Sequence, residues 1–271
     1  WYLAHDDPDQ YPIDARTVLV IDEASTLPDR DLDALMTMAA TTGASVRLIG
    51  DPAQHGAIAA GGMFRVLCER HPHVIPELQT THRVLDPDDR AAAQALREGR
   101  IDDALGHLEA AGHLHVVDDD LTMYRHVLGR WWDAHRHGDD HPMGDRRNTT
   151  RRQLNRLAHQ LLRANGELGD QELVASGDRR FSVGDRATAR APNRQLHPDG
   201  QPNAYVRNGA LGTITALHPD PDDRDLDTVV VDFDGIGTID LPRTFFDHHQ
   251  AAGGRTEVGI DHAYALTSYA V

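Results

Sequence analysis

Thr17-Val18-Leu19-Val20-Ile21-Asp22-Glu23-Ala24-Ser25 is the stretch on which the reading of this chain turns. Its first five residues are apolar or β-branched without a break. That is the pattern of a short strand buried on both faces in a parallel α/β sheet. Two carboxylates follow at the carboxyl end, where open α/β sheets place their ligands. One carboxylate there can hold Mg²⁺ through its waters while the other orients and polarises an attacking water. A helix cap or a solvated acidic turn explains the same two residues, and this stretch alone does not choose between the readings.

The next segments repeat the logic. Residues 29–42 place Leu32, Leu35, Met36 and Met38-Ala39 on one side of a helix, and Gly43 supplies its stop. Ser45-Val46-Arg47-Leu48-Ile49 is a second strand of the buried type, closed by Gly50-Asp51-Pro52-Ala53-Gln54. Strand, helix, strand predicts a βαβ unit with a right-handed crossover. Gly50 permits close backbone approach, and Gln54 offers an amide donor and acceptor near the first turn. Leu78-Gln79-Thr80-Thr81-His82-Arg83 adds an arginine that could contact a γ-phosphate, although taken by itself it reads better as a solvated loop arginine.

Composition bounds the rest. The chain has 271 residues and a formal net charge of −16, and its 27 basic residues are all arginine. No step that needs a lysine ammonium can come from these residues. The acidic balance argues against coating nucleic acid through bulk charge, but leaves room for a local basic track. Cys68 is the one cysteine, which excludes an internal disulfide and a cysteine-based metal cluster. It reads as a small core residue. No apolar run reaches the ~18 residues of a membrane span, no secretion leader opens the sequence, and the expectation is a cytoplasmic protein. Trp1 suggests that the sequence begins inside a longer one.

Further along, residues 63–70, 87–98, 101–111, 121–136 and 150–165 predict helices, with strands at 73–75 and 114–117. The last helix is amphipathic, with Leu154, Leu157, Leu161 and Leu162 on one face. From about Gly166 the signals become short strands and turns: 185–190, 212–217, 228–233 and 238–241, with turns at Asn208-Gly209 and Asp234-Gly235. They predict a small β-barrel with a charged tip at 219–227. Arg146, Arg147, Arg151, Arg152 and Arg156 form either a track for a nucleic-acid backbone or a solvated helix face. Trp131-Trp132 reads as one core and one partly exposed tryptophan. His135, His137 and His141 lack a tight ligand pattern and are assigned no metal.

In order, these segments resemble superfamily 1 DNA helicases of the RecD-like branch that includes TrwC-type conjugative relaxase–helicases. Val18 to Ser25 is similar to motif II, Arg47 to Gln54 to motif III, and Leu78 to Arg83 to motif IV. Asp145 to Ala158 is similar to the entry of a second RecA-like domain. Phe181 to Arg186 and Val206 to Gly212 resemble an inserted SH3-like barrel, and His262 to Tyr269 the opening of motif V. The resemblance implies an α/β fold: a partial RecA-like parallel sheet over 1–76, the start of a second RecA-like domain over 77–168, an SH3-like β-barrel insertion over 169–256, and a return to the second domain over 257–271. It implies ATP and Mg²⁺ as cofactors and single-stranded DNA as partner, with 5′-to-3′ movement. Asp22 would hold Mg²⁺ and Glu23 would be the catalytic base. Gln54 would link the γ-phosphate to DNA movement, and Arg83 would stabilise transition-state charge. Gly50 and Asp51 would complete the nucleotide site, and Thr267, Ser268 and Arg152 would lie near DNA.

The sequence departs from the family at both ends. The Gly-x-x-x-x-Gly-Lys-Thr/Ser loop is absent, and the chain stops inside motif V. The expectation is therefore that this chain alone does not hydrolyse ATP and exposes apolar sheet edges. A non-catalytic module that holds DNA or a partner is the alternative. An unrelated P-loop ATPase fragment would account for Asp22-Glu23 but not for the glutamine loop, Arg83 and the barrel.

Overall fold

A computed structural model describes residues 12–267 apart from 55, 58–59, 79–83, 85, 140, 202, 248 and 251–255. Contacts divide the chain into two units, Trp1–His115 and Val116–Val271.

In the first unit, β1 (Val18–Ile21) pairs in parallel with β2 (Ser45–Leu48), and α1 (Asp29–Thr42) connects them. Leu32, Leu35 and Ala39 are the buried stripe of α1. Gly43 ends it at φ 76°, a left-handed conformation that glycine adopts without a Cβ penalty. The expectation of strands buried on both faces fails here. Val18, Val20 and Ile49 are 55, 59 and 53% exposed, because this sheet has two strands among the described residues and each shows an alternating exposed and half-buried pattern. The remaining helices are α2 (Met63–Arg70), α3 (Pro87–Arg97) and α4 (Ile101–Ala110). Asp86 caps α3 by accepting from the amides of Asp88 and Asp89. Two strand expectations are corrected. Pro72–Val74 is a 3₁₀ turn opened by proline, and residues 113–117 carry no regular structure, with Val116 87% exposed. Among the described residues, neither segment pairs with a neighbouring strand.

The second unit has two cores. Around one, α5 (Asp120–Arg136), β3 (Met143–Asp145) and α6 (Asn148–Ala164) pack Trp131, Met143, Leu154, Ala158 and Leu162 together with Tyr264 and Ala265. Trp132 is only half-buried against this cluster, as its neighbour's burial requires of adjacent helical positions. Then come β4 (Glu172–Val174) and β5 (Arg180–Ser182), an antiparallel pair. Next are β6 (Arg186–Ala189), β7 (Leu211–His218), β8 (Thr228–Phe233) and β9 (Gly237–Pro242). A short α7 (Arg243–Phe246), the pair β10 (His249–Gln250) and β11 (Thr256–Glu257), β12 (Ile260–His262) and β13 (Ala265–Thr267) complete the chain.

Five strands form one antiparallel sheet in the order β12-β6-β7-β8-β9. Its alternation is clear in β7 and β9, and its core holds Phe181, Ile214, Val229, Val231, Phe233, Leu241, Phe246 and Ile260. A bulge between Ile214 and Ala216 shifts the β7–β8 register. β13 leaves this sheet to pair in parallel with β3. The fold is thus mixed α/β with parallel strand pairs. Among the described residues, no helix is long and apolar enough to cross a membrane.

Candidate functional site

The two turns singled out in the sequence meet at the carboxyl ends of β1 and β2. Ile49 N–H donates to the Ile21 carbonyl at 2.8 Å, and Ala24 N–H donates to the Ile49 carbonyl at 2.8 Å. The backbones approach so closely that a Cβ on Gly50 would lie 3.0 Å from Ala24 N and 3.3 Å from both Ser25 N and the Phe64 ring. That contact is the physical reason for glycine at this position. Glu23 sits in the left-handed region at φ 51°, ψ 42°. Such a conformation costs a non-glycine residue about 1 kcal/mol or more, and observed strain of this kind concentrates at functional sites.

Asp22 and Glu23 are exposed. Asp22 Oδ1 accepts the Glu23 amide at 3.0 Å, and neither carboxylate is paired with a cationic side chain among the described residues. Two open carboxylates offer the oxygen donors that Mg²⁺ prefers, so the residues fit that ion. Asp51 is differently placed. Its carboxylate accepts from Arg97 Nη1 at 2.7 Å and from the Ala53 amide at 3.0 Å, which folds the loop and turns the Gln54 amide onto the Asp51 carbonyl at 3.1 Å. Sequence reasoning gave Arg97 no role, because its partner is 46 residues away. Gln54 is exposed. Arg83, with the rest of Gln79–Arg83, lies outside the described residues, as does Ser268.

The second unit contains an arginine-lined cleft of about 1060 Å³, bordered by the first turns of α6, by Arg179 and Arg180, and by Arg190. Arg152 is exposed on its wall. Arg151, grouped with it in the sequence, is no solvated residue. It is 2% exposed and paired with Asp261 at 2.8 Å, while its buried Nη1 finds no hydrogen-bond partner. Thr267 is 7% exposed within β13, so its side chain is largely covered.

What the sequence reading missed is a buried polar row on α6. Arg151, Asn155 and His159 recur every fourth residue beside the apolar stripe of Leu154, Ala158 and Leu162, and all six are buried. Arg151 holds Asp261. Asn155 Nδ2 donates to the His262 and Ala265 carbonyls at 3.0 and 3.1 Å, and its Oδ1 accepts the Ala265 amide at 2.7 Å. His159 Nδ1 lies 2.9 Å from Asp185 Oδ1. Asp185 is fully buried and also accepts from Tyr264 OH at 2.6 Å and the Ser182 amide at 2.6 Å. Burial disfavours the charged Asp185, but the flanking histidines outweigh it and hold the carboxyl well below its usual range. Burial likewise opposes a charged His159, and Asp185 and Glu172 reverse this and raise it. Burial and the adjacent Asp185 push Tyr264 far up. The four-residue spacing was the available signal. The partners are not local, and no sequence pattern marks them.

Residues 1–119 match the AAA domain family AAA_30. The chain is 25% identical over 268 residues to the conjugal transfer protein TraA of Agrobacterium fabrum, covering 94% of this chain and 21% of that protein. It is 27% identical over 208 residues to TraA of Rhizobium radiobacter, covering 74% of this chain and 18% of that protein. It thus spans about a fifth of these curated relatives. A solved structure described as "Structural Basis for DNA Unwinding at Forked dsDNA by two coordinating Pif1 helicases" matches at a TM-score of 0.49 and 16% identity, over 93% of this chain and 60% of that one. That match is too distant to carry an argument about activity. The AAA_30 match falls on the residues that carry β1, β2 and their two turns, and the TraA likeness extends over most of the chain.

Proposed function

We propose that this chain is part of an ATP-driven DNA translocase of the conjugative relaxase–helicase kind. The observation that carries the reading is the meeting of the Asp22-Glu23 turn with the Gly50 loop at the ends of two parallel strands. In this reading the first unit includes a partial RecA-like domain. The second unit holds the start of another, with the five-stranded sheet as an SH3-like insertion. The domain limits are those drawn from the sequence.

Asp22 would hold Mg²⁺, whose chemistry is to neutralise charge on the ATP phosphates. Glu23 positions the attacking water and takes its proton. Gln54 reports the γ-phosphate to the rest of the motor, Gly50 and Asp51 shape the pocket, and Arg83 stabilises transition-state charge. Single-stranded DNA would pass Arg152, with Thr267 and Ser268 near its backbone, and the motor would move along it 5′ to 3′ in the cytoplasm. No lysine is present in the chain to cradle phosphates, so the chain alone is inactive in this reading. DNA-stimulated ATPase activity of the full-length protein tests it, against Glu23→Gln. Loss of turnover with retained DNA binding is expected, and equal rates would sink the role of Glu23.

The arginine cleft favours a second reading, in which the chain holds DNA without hydrolysis. Titration with single-stranded DNA at two salt concentrations separates the two. Salt-dependent binding by this chain supports a backbone track, and absence of binding at low salt removes it.

A further inference from the structure

We propose that His159, Asp185 and His262 bind one divalent transition-metal ion, of the class zinc represents, at the floor of the arginine-lined cleft. The site lies beyond the translocase reading and shares no residue with the Mg²⁺ position at Asp22. Its ligand atoms come from α6, from the turn before β6, and from β12. His159 Nδ1 is 3.1 Å from Asp185 Oδ2 and His262 Nε2 is 3.6 Å from the same oxygen, and one candidate ligand atom from each of the three residues lies within 4.8 Å of the others. Bonds of about 2.0–2.2 Å put neighbouring ligands of a tetrahedral ion about 3.3 Å apart. Small side-chain adjustments bring the three atoms to that spacing.

Three further observations point to an ion. The first is an orphan: His262 Nε2 is buried without a hydrogen-bond partner, and at 3.6 Å it is too far from Asp185 to donate usefully. A proton shared along Glu172, His159 and Asp185 accounts for His159 and Asp185 but leaves this nitrogen unsatisfied. An ion satisfies it. The second is the outer layer. Glu172 Oε1 stands 3.3 Å from His159 Nε2, the carboxylate–histidine arrangement that orients metal-ligating imidazoles. Tyr264 OH and the Ser182 amide fix the Asp185 carboxylate. The third is access. His159 and His262 both line the cleft, which gives an entry path and leaves a coordination position for water. The nearby Arg151 charge is already taken up by Asp261 at 2.8 Å. Two imidazoles and one carboxylate favour a first-row transition ion over Mg²⁺.

The test uses the whole chain, stripped with chelator and dialysed against Zn²⁺ and, separately, Co²⁺. One zinc per chain is expected, with visible d–d bands for bound Co²⁺. Glu172→Gln, at a partly exposed position, should weaken binding about 10–100-fold. His262→Gln should weaken it more. A wild-type chain that retains no zinc and gives no Co²⁺ bands overturns the proposal, whether or not the variants fold. So does wild-type affinity in both variants, which would assign uptake to surface histidines, since the chain has 18 in all.

Discussion

Asn155→Ala is expected to loosen the segment that carries β12 and β13. Asn155 is 1% exposed, and its amide makes three hydrogen bonds to backbone atoms of His262 and Ala265, at 2.7 to 3.1 Å. Each is worth about 0.5–1.5 kcal/mol net, and the abandoned backbone groups are buried, so the total loss is about 2–4 kcal/mol. For a unit of this size that lowers Tm by roughly 5–15 °C. Urea unfolding followed by circular dichroism reads the loss as a lower midpoint with an unchanged m-value. Hydrogen exchange adds location: the Ala265 amide should lose protection first. Asn155→Leu restores volume but no hydrogen bonds, and should not rescue stability. A loss below about 0.5 kcal/mol, or an Ala265 amide as protected as in the wild type, would refute the claim that this side chain pins the strand.

The other predictions follow from the same unit. Arg151→Met strands Asp261 in the interior and should cost about 3–5 kcal/mol, with much of the loss recovered in Arg151→Met/Asp261→Leu, measured by denaturant unfolding. Asp261 also sets part of the acid limb. Burial raises its pKa, but the charges of Arg151, His262 and Arg179 outweigh this and hold it below its ordinary value of 3.8. Its contribution is therefore fully present above that value and lost as pH falls below it. A pH series of urea midpoints should show a shallower acid limb in Asp261→Asn, and an unchanged slope would exclude the pairing. Gly259→Ala would place a Cβ 2.0 Å from the Phe245 carbonyl oxygen. Because that atom is backbone, α7 and the β11–β12 connection must part, and a Tm drop larger than that of Asn155→Ala is expected by scanning calorimetry.

Sequence alone determined the elements whose causes are local. Short, mostly apolar runs specified β1 and β2, the leucine stripe specified α6, and alternation with Asn-Gly and Asp-Gly turns specified β7, β8 and β9 nearly to the residue. Gly50 was legible because only a close backbone approach needs it there. Tertiary structure decided what depends on a distant partner. Whether β1 and β2 are covered depends on neighbours that the strands do not encode, and in this structure Val18 and Val20 face outward. Asp51 reads as a pocket residue until Arg97 from α3 takes its carboxylate. Arg151 and Arg152 are adjacent and identical in sequence, yet a 100° step around the helix sends one to Asp261 in the interior and the other to the cleft wall. His159, Asp185 and His262 are separated by 26 and 77 residues. Only the folding of β12 back onto β6 brings them together, because burial satisfies polar atoms with whichever partners the chain's path delivers.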